Sequence, residues 1–184
     1  MDLQDKWYPQ IERCKEMTLK QSLNEMENFK LRQEEVPFVI QLVENPRYDV
    51  GLFAGNVDLF THDCIHVLLW RGLLVKDEAF VIGYTMGSTK KMFRLRKNLF
   101  MFFSKYLYPE GYKFREDERF IFNLGIAAGY KCEVDLSKVA FKQFYDHKLA
   151  EIRILLGIDD DLLESCFSLE KKLYPASYES RRLL

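Results

Sequence analysis

Asp58-Leu59-Phe60-Thr61-His62-Asp63-Cys64-Ile65-His66-Val67-Leu68-Leu69-Trp70-Arg71-Gly72 is the stretch on which the reading of this chain turns. Its apolar residues recur on nearly every side of a helical projection, and a helix apolar all round is a buried helix. The spacing predicts a helix over 58–71 that stops at Gly72, a residue suited to a C-cap. Three ionisable groups sit in its middle. His62 and His66 are four residues apart and stack on one face, with Asp63 at the edge of that face. Burying such groups is costly unless something compensates them. A divalent metal ion held by the two imidazoles and a carboxylate is one compensation. The other is a pair of core histidines bonded to Asp63 and to backbone groups. The chain has only three histidines, and two of them are here.

Outward from this stretch the periodicity is helical almost everywhere. Segment 11–31 places Leu19, Leu23 and Met26 at helical spacing among charges. Segment 33–44 reads as helix before Asn45-Pro46, and 46–56 as irregular. Asp77 is placed to cap a helix over 78–86, ending near Gly87-Ser88. A basic and aromatic helix is expected over 89–107 and an acid-started helix over 114–131. Ser137 is expected to open a helix to Leu156, stopped by Gly157, and Asp159 to open a last helix to Leu173. Gly125 and Gly129 permit close helix approach. The fold class expected is all-α, an irregular multi-helix single domain over 1–184.

The 184 residues, 48% hydrophobic and 15% aromatic, suffice for one large core and argue against disorder. A net charge of −1 gives no global attraction to nucleic acid or to anionic membrane, so no nucleic-acid partner is expected. Cys14, Cys64, Cys132 and Cys166 are far apart, form no C-x-x-C pair and read as reduced core thiols. The opening MDLQDKWYPQ does not read as a signal peptide, and no apolar run approaches the ~20 residues that span a bilayer. An intracellular protein is expected, soluble or peripheral to a membrane. The basic and aromatic segment 90–105, with Arg94, Arg96 and Lys97, reads either as a core helix with a solvated face or as a helix lying in a headgroup region.

Three metal-site patterns do not fit. A zincin has glutamate where Asp63 stands. An HD-type phosphohydrolase needs another histidine well upstream, and residues 1–61 hold none. A di-iron bundle needs two E-x-x-H pairs, and no glutamate lies three residues before His62 or His66. Asp160-Asp161-Leu162-Leu163-Glu164 reads as an acidic helix start rather than a diphosphate site, Gly87-Ser88-Thr89-Lys90 lacks P-loop spacing, and His147 reads as a surface residue.

His62-Asp63-x-x-His66 followed by eleven residues and Glu78 makes H-D-x-x-H-x11-E. This pattern resembles the signature of the Coq-four family of ubiquinone (coenzyme Q) biosynthesis proteins, over about residues 56–90. Thr85 stands where that family usually carries a second glutamate. The resemblance implies an all-helical fold and a divalent metal, zinc by the family and iron or manganese as alternatives, with His62, Asp63, His66 and Glu78 as ligands and catalytic groups. It implies a lyase-type step, oxidative decarboxylation of a prenylated quinone precursor's head group, or a scaffold for other quinone-biosynthesis proteins that binds prenyl lipid, with a homodimer allowed. Two further readings use the same residues: a metal-dependent hydrolase with Glu78 or Asp63 as base, and a non-catalytic lipid-binding or complex-organising protein. For Glu78 to reach the histidines, the turn over 72–77 must fold back across about 9 Å of helix at ~1.5 Å per residue.

Overall fold

A computed structural model describes residues 7–9, 11–27, 57–90 and 115–183. Among these the chain is all-α. It forms helices α1 (Ile11–Cys14), α2 (Leu19–Glu27), α3 (Leu59–Leu68), α4 (Val75–Ser88), α5 (Glu116–Gly129), α6 (Leu149–Leu155), α7 (Asp160–Leu173) and α8 (Tyr178–Arg181). Two short 3-10 turns, Leu136–Lys138 and Phe141–Phe144, lie between α5 and α6. The readings made for 33–44, for 46–56 and for the basic and aromatic segment from Lys91 onward fall outside the described residues.

Local chemistry sets the helix starts. Thr18 and Gln21 cap α2 reciprocally: Gln21 N donates to Thr18 Oγ1 at 3.3 Å and Thr18 N to Gln21 Oε1 at 2.9 Å. Asp58 caps α3 by accepting from Thr61 N at 2.7 Å, and Asp159 caps α7 by accepting from Leu162 N at 3.0 Å. Asp160 pairs with Arg153, so the acidic run at 159–161 serves a helix start and one ion pair. Leu19, Leu23 and Met26 of α2 are buried, but the segment expected to be one helix is broken between Cys14 and Leu19 by tight turns.

The helix expected over 137–156 is mostly absent. Asp135 Oδ1 accepts from both the backbone and the hydroxyl of Ser137, at 3.2 and 2.6 Å, which closes a local turn in place of a helical ladder. Lys148 is then held extended by an antiparallel bridge to Thr18, in which Leu19 N donates to His147 O and Leu149 N to Met17 O. Only Leu149–Leu155 is α-helical. It ends as expected at Gly157, whose φ of +66° suits glycine. All four cysteines are buried, and His147 is exposed.

Among the described residues, α4 and α5 form the most closely packed pair. Gly83 and Gly87 of α4 face Gly125 and Gly129 of α5. A Cβ at any of the four would overlap a backbone carbonyl of the other helix: Phe122 and Ile126 from the α4 side, Phe80 and Tyr84 from the α5 side. Each glycine costs about 1 kcal/mol of helix propensity relative to alanine. Backbone-on-backbone packing and its Cα–H···O contacts offset this. Around the pair, Phe80, Tyr84, Ile121, Phe122, Phe141 and Phe167 are almost fully buried in one hydrophobic cluster reaching from Trp7 to Leu183.

Replacing Gly83 or Gly129 by alanine should therefore destabilise the protein by at least the ~1–3 kcal/mol typical of overpacking, despite alanine's higher helix propensity. Denaturant unfolding measures it. A neutral or stabilising effect would contradict the backbone contact.

Candidate metal centre

Helix α3 delivers the two histidines. His62 lies in its first turn, with N–H bonded to Asp58 O at 2.9 Å, and His66 lies one turn on. The helix does not run to Arg71 as expected. It ends at Leu68, and Trp70 rather than Gly72 takes the left-handed position, with φ +54°. Trp70 N donates to Val67 O at 3.3 Å and Arg71 N to His66 O at 3.0 Å, a Schellman ending with tryptophan where glycine is usual. A bulky residue in this region stores of order 1–3 kcal/mol of strain. Arg153 opposes it, stacking its guanidinium 4.5 Å above the Trp70 ring and donating to the Leu68 carbonyl.

Gly72 has a different task from the one expected. Its carbonyl accepts from His66 Nδ1 at 2.7 Å. A carbonyl only accepts, so Nδ1 carries hydrogen and Nε2 points away from the turn. The chain then reverses into α4, where Asp77 is the third helical residue rather than the N-cap. Its carboxylate reaches back to accept Leu74 N at 3.1 Å. Glu78 follows in the first turn, where the helix dipole favours a carboxylate.

Three ligand atoms converge there. His62 Nε2 and His66 Nε2 are 3.1 Å apart, and Glu78 Oε2 lies 3.4 Å from the first and 3.3 Å from the second. Asp63 is not part of this triangle. It is buried beside the pair, and its charge acts on both imidazoles. The His66 side chain is 1% exposed, that of His62 14% and that of Glu78 23%, so the triangle is closed behind His66 and open on the side of Glu78.

The donor set suits a divalent ion. Ligand atoms about 2.0–2.2 Å from a tetrahedral zinc stand ~3.3–3.6 Å apart, and those of an octahedral ion about 3 Å apart, which brackets the observed edges. The His66–Gly72 hydrogen bond is the outer contact that metal-bound histidines make, fixing tautomer and ring orientation. Two imidazoles and one carboxylate leave further coordination positions for water or substrate.

The surrounding charges and burial act on the two imidazoles with opposite results. Burial opposes protonation of His66, but the Glu78 carboxylate, through charge and hydrogen bond, with Asp63 and Asp77 behind it, outweighs burial and raises the pKa to about 9. His62 goes the other way. Burial, then the charge of His66, lower its pKa against the pull of Glu78, Asp63 and Asp58.

No protein-family model matches the chain, no curated protein matches it in sequence, and no solved structure matches it in fold.

The pH dependence of the metal-free protein follows. The folded pKa of His66 is raised above the ordinary 6.5, so its contribution is complete below about 6.5 and is lost as pH rises toward about 9. The lowered pKa of His62 costs stability as pH falls below 6.5, because the unfolded chain takes up the proton first. Thermal melts of chelator-treated protein should show stability falling between pH 6.5 and about 9, and Glu78→Gln should flatten that slope. An identical slope in Glu78→Gln would contradict the coupling.

Proposed function

We propose that this chain is a metal-dependent protein of prenylquinone biosynthesis, holding one divalent ion through His62, His66 and Glu78 and presenting it to the oxygenated head group of a prenylated precursor. The single observation that carries the metal is the triangle of 3.1, 3.3 and 3.4 Å edges with its third histidine nitrogen tied to Gly72 O. The quinone head group rests on the resemblance of His62-Asp63-x-x-His66-x11-Glu78 to the Coq-four signature.

A divalent ion at these residues would supply Lewis-acid polarisation of a phenolic or carboxylate oxygen, and iron or manganese in place of zinc would add redox capacity. The chain's own residues do the rest. His66 offers its Nε2 lone pair at a fixed angle because Nδ1–H is committed to Gly72. His62 stays neutral near pH 7 because burial disfavours its charge. Glu78, on the open side, is the ligand nearest to an incoming head group and the one whose second oxygen can accept a substrate proton. Asp63 adds negative charge behind the imidazoles and strengthens their hold on a cation. No helix among the described residues is long and apolar enough to cross a membrane.

Native purification followed by mass spectrometry of metal and lipid tests both halves of the proposal. About one divalent ion per chain is expected, together with a co-purified prenylated phenol or quinone. His62→Ala with His66→Ala should lose the ion. Full occupancy in that double variant rejects the metal site. A metal-loaded protein that hydrolyses phosphoesters or amides and carries no quinone-type lipid rejects the pathway and keeps the metal.

A further inference from the structure

The turn that holds the acceptor of His66 and the approach to Glu78 is itself gripped by the far end of the chain. Gly72 packs so closely that a Cβ there would lie 2.6 Å from Arg182 Nη2 and 2.7 Å from Trp7 O. The same Arg182 guanidinium pairs with the fully buried Asp77 carboxylate, whose Oδ2 also accepts Leu74 N. Three residues before, Glu179 accepts Lys76 N at 3.1 Å and Lys76 Nζ at 3.3 Å. Between them, Ser180 Oγ donates to Glu170 Oε1 at 3.0 Å, and Glu170 Oε2 accepts from the fully buried Arg71 at 2.8 Å. Every charged residue of the turn 71–77 is therefore partnered from α7, from α8 or from Arg182 just after it.

We infer that the C-terminal segment Glu179–Arg182 is a clamp that positions the metal ligands, with Arg182 as the positioning residue that seats Gly72 against His66 and Asp77 beneath Glu78. The inference rests on the metal reading above, and it names what holds that site in shape. Arg71, Asp77 and Glu170 are 0% exposed, and buried ion pairs seldom repay their desolvation relative to an apolar core. Cation–π contacts of Arg71 with the Phe80 and Phe167 rings, 4.0 and 4.5 Å from the ring centroids, offset only part of this. What the network provides that apolar packing does not is a fixed direction for the Gly72 carbonyl and for the first turn of α4. Those two features set the His66 tautomer and the Glu78 backbone. Arg182 acts through Gly72 and Asp77.

The test uses the full chain carrying Arg182→Ala, Arg182→Lys and Glu179→Ala. Two quantities are read on variants whose circular dichroism matches the wild type. One is the affinity for zinc and for cobalt. The other is the His66 Nδ1–H resonance of the metal-free protein in nitrogen-15 spectra. Arg182→Ala should weaken zinc by about tenfold or more, the scale on which outer contacts tune metal ligands. It should also broaden or abolish the Nδ1–H resonance through faster exchange, while Arg182→Lys restores part of both. If Arg182→Ala does not fold, Glu179→Ala, which leaves the Asp77 pair intact, carries the same expectation at smaller size. A folded alanine variant with wild-type zinc affinity overturns the clamp. If the wild type binds neither metal, the metal reading fails, and the Nδ1–H resonance alone decides the clamp: loss in the variant upholds it and persistence overturns it.

Discussion

The hydrogen bond from His66 Nδ1 to the Gly72 carbonyl is the constraint on which the rest of the site depends. To make it, α3 must stop at Leu68 and turn back within four residues, and this places Trp70 in the left-handed region. The residue that offers the carbonyl must be glycine, since Arg182 and Trp7 O occupy the space a side chain would need. Once made, the bond settles which imidazole nitrogen is free. It also sets where α4 begins, hence where Glu78 stands relative to the two histidines. A strained tryptophan, a crowded glycine and a carboxylate facing two imidazoles are consequences of one short backbone reversal.

Two kinds of interior meet at that reversal. On one side, α4 and α5 pack backbone to backbone through Gly83, Gly87, Gly125 and Gly129, a contact with no room for adjustment. On the other, the start of α4 is surrounded by charge: Lys76 among Asp117, Glu118 and Glu179, and Arg71 with Asp77 and Glu170. Burial opposes the charge on Lys76, but Glu179 and Glu118 outweigh it, and its pKa is raised. The rigid pair fixes the axis of α4, and the charged cluster fixes its first turn. Glu78 sits where the two constraints overlap, which is how a residue twelve positions from His66 comes within 3.3 Å of it.

The parts of this arrangement that were legible in the sequence are those with local causes. His62 and His66 share a face because four residues make about one helical turn, and the apolar surroundings marked α3 as buried. Asp159 and Gly157 signalled a helix start and a helix stop by their own chemistry. Gly125 and Gly129 signalled close approach, although their partners Gly83 and Gly87 did not. What stayed hidden was set by distant contacts. Ser137 resembles a helix start, but Asp135 captures it in a turn, and the bridge from Lys148 to Thr18 pulls the chain straight. Gly72 resembles a cap, but its purpose lies in a carbonyl aimed at His66 and in room for Arg182. Asp77 and Asp63 are equally acidic on paper. Only the fold separates the aspartate that braces the turn from the one that lends charge to the imidazoles, and neither lies in the ligand triangle.

Enclosure of one divalent cation by His62, His66 and Glu78 is open to direct observation by anomalous diffraction from a zinc-loaded crystal, recorded on both sides of the zinc absorption edge. A single strong anomalous peak is expected about 2.0–2.2 Å from His62 Nε2, His66 Nε2 and a Glu78 carboxylate oxygen, with the His66 Nδ1 to Gly72 O bond intact. A crystal in which those three side chains hold no anomalous scatterer, with zinc elsewhere or absent, would contradict it.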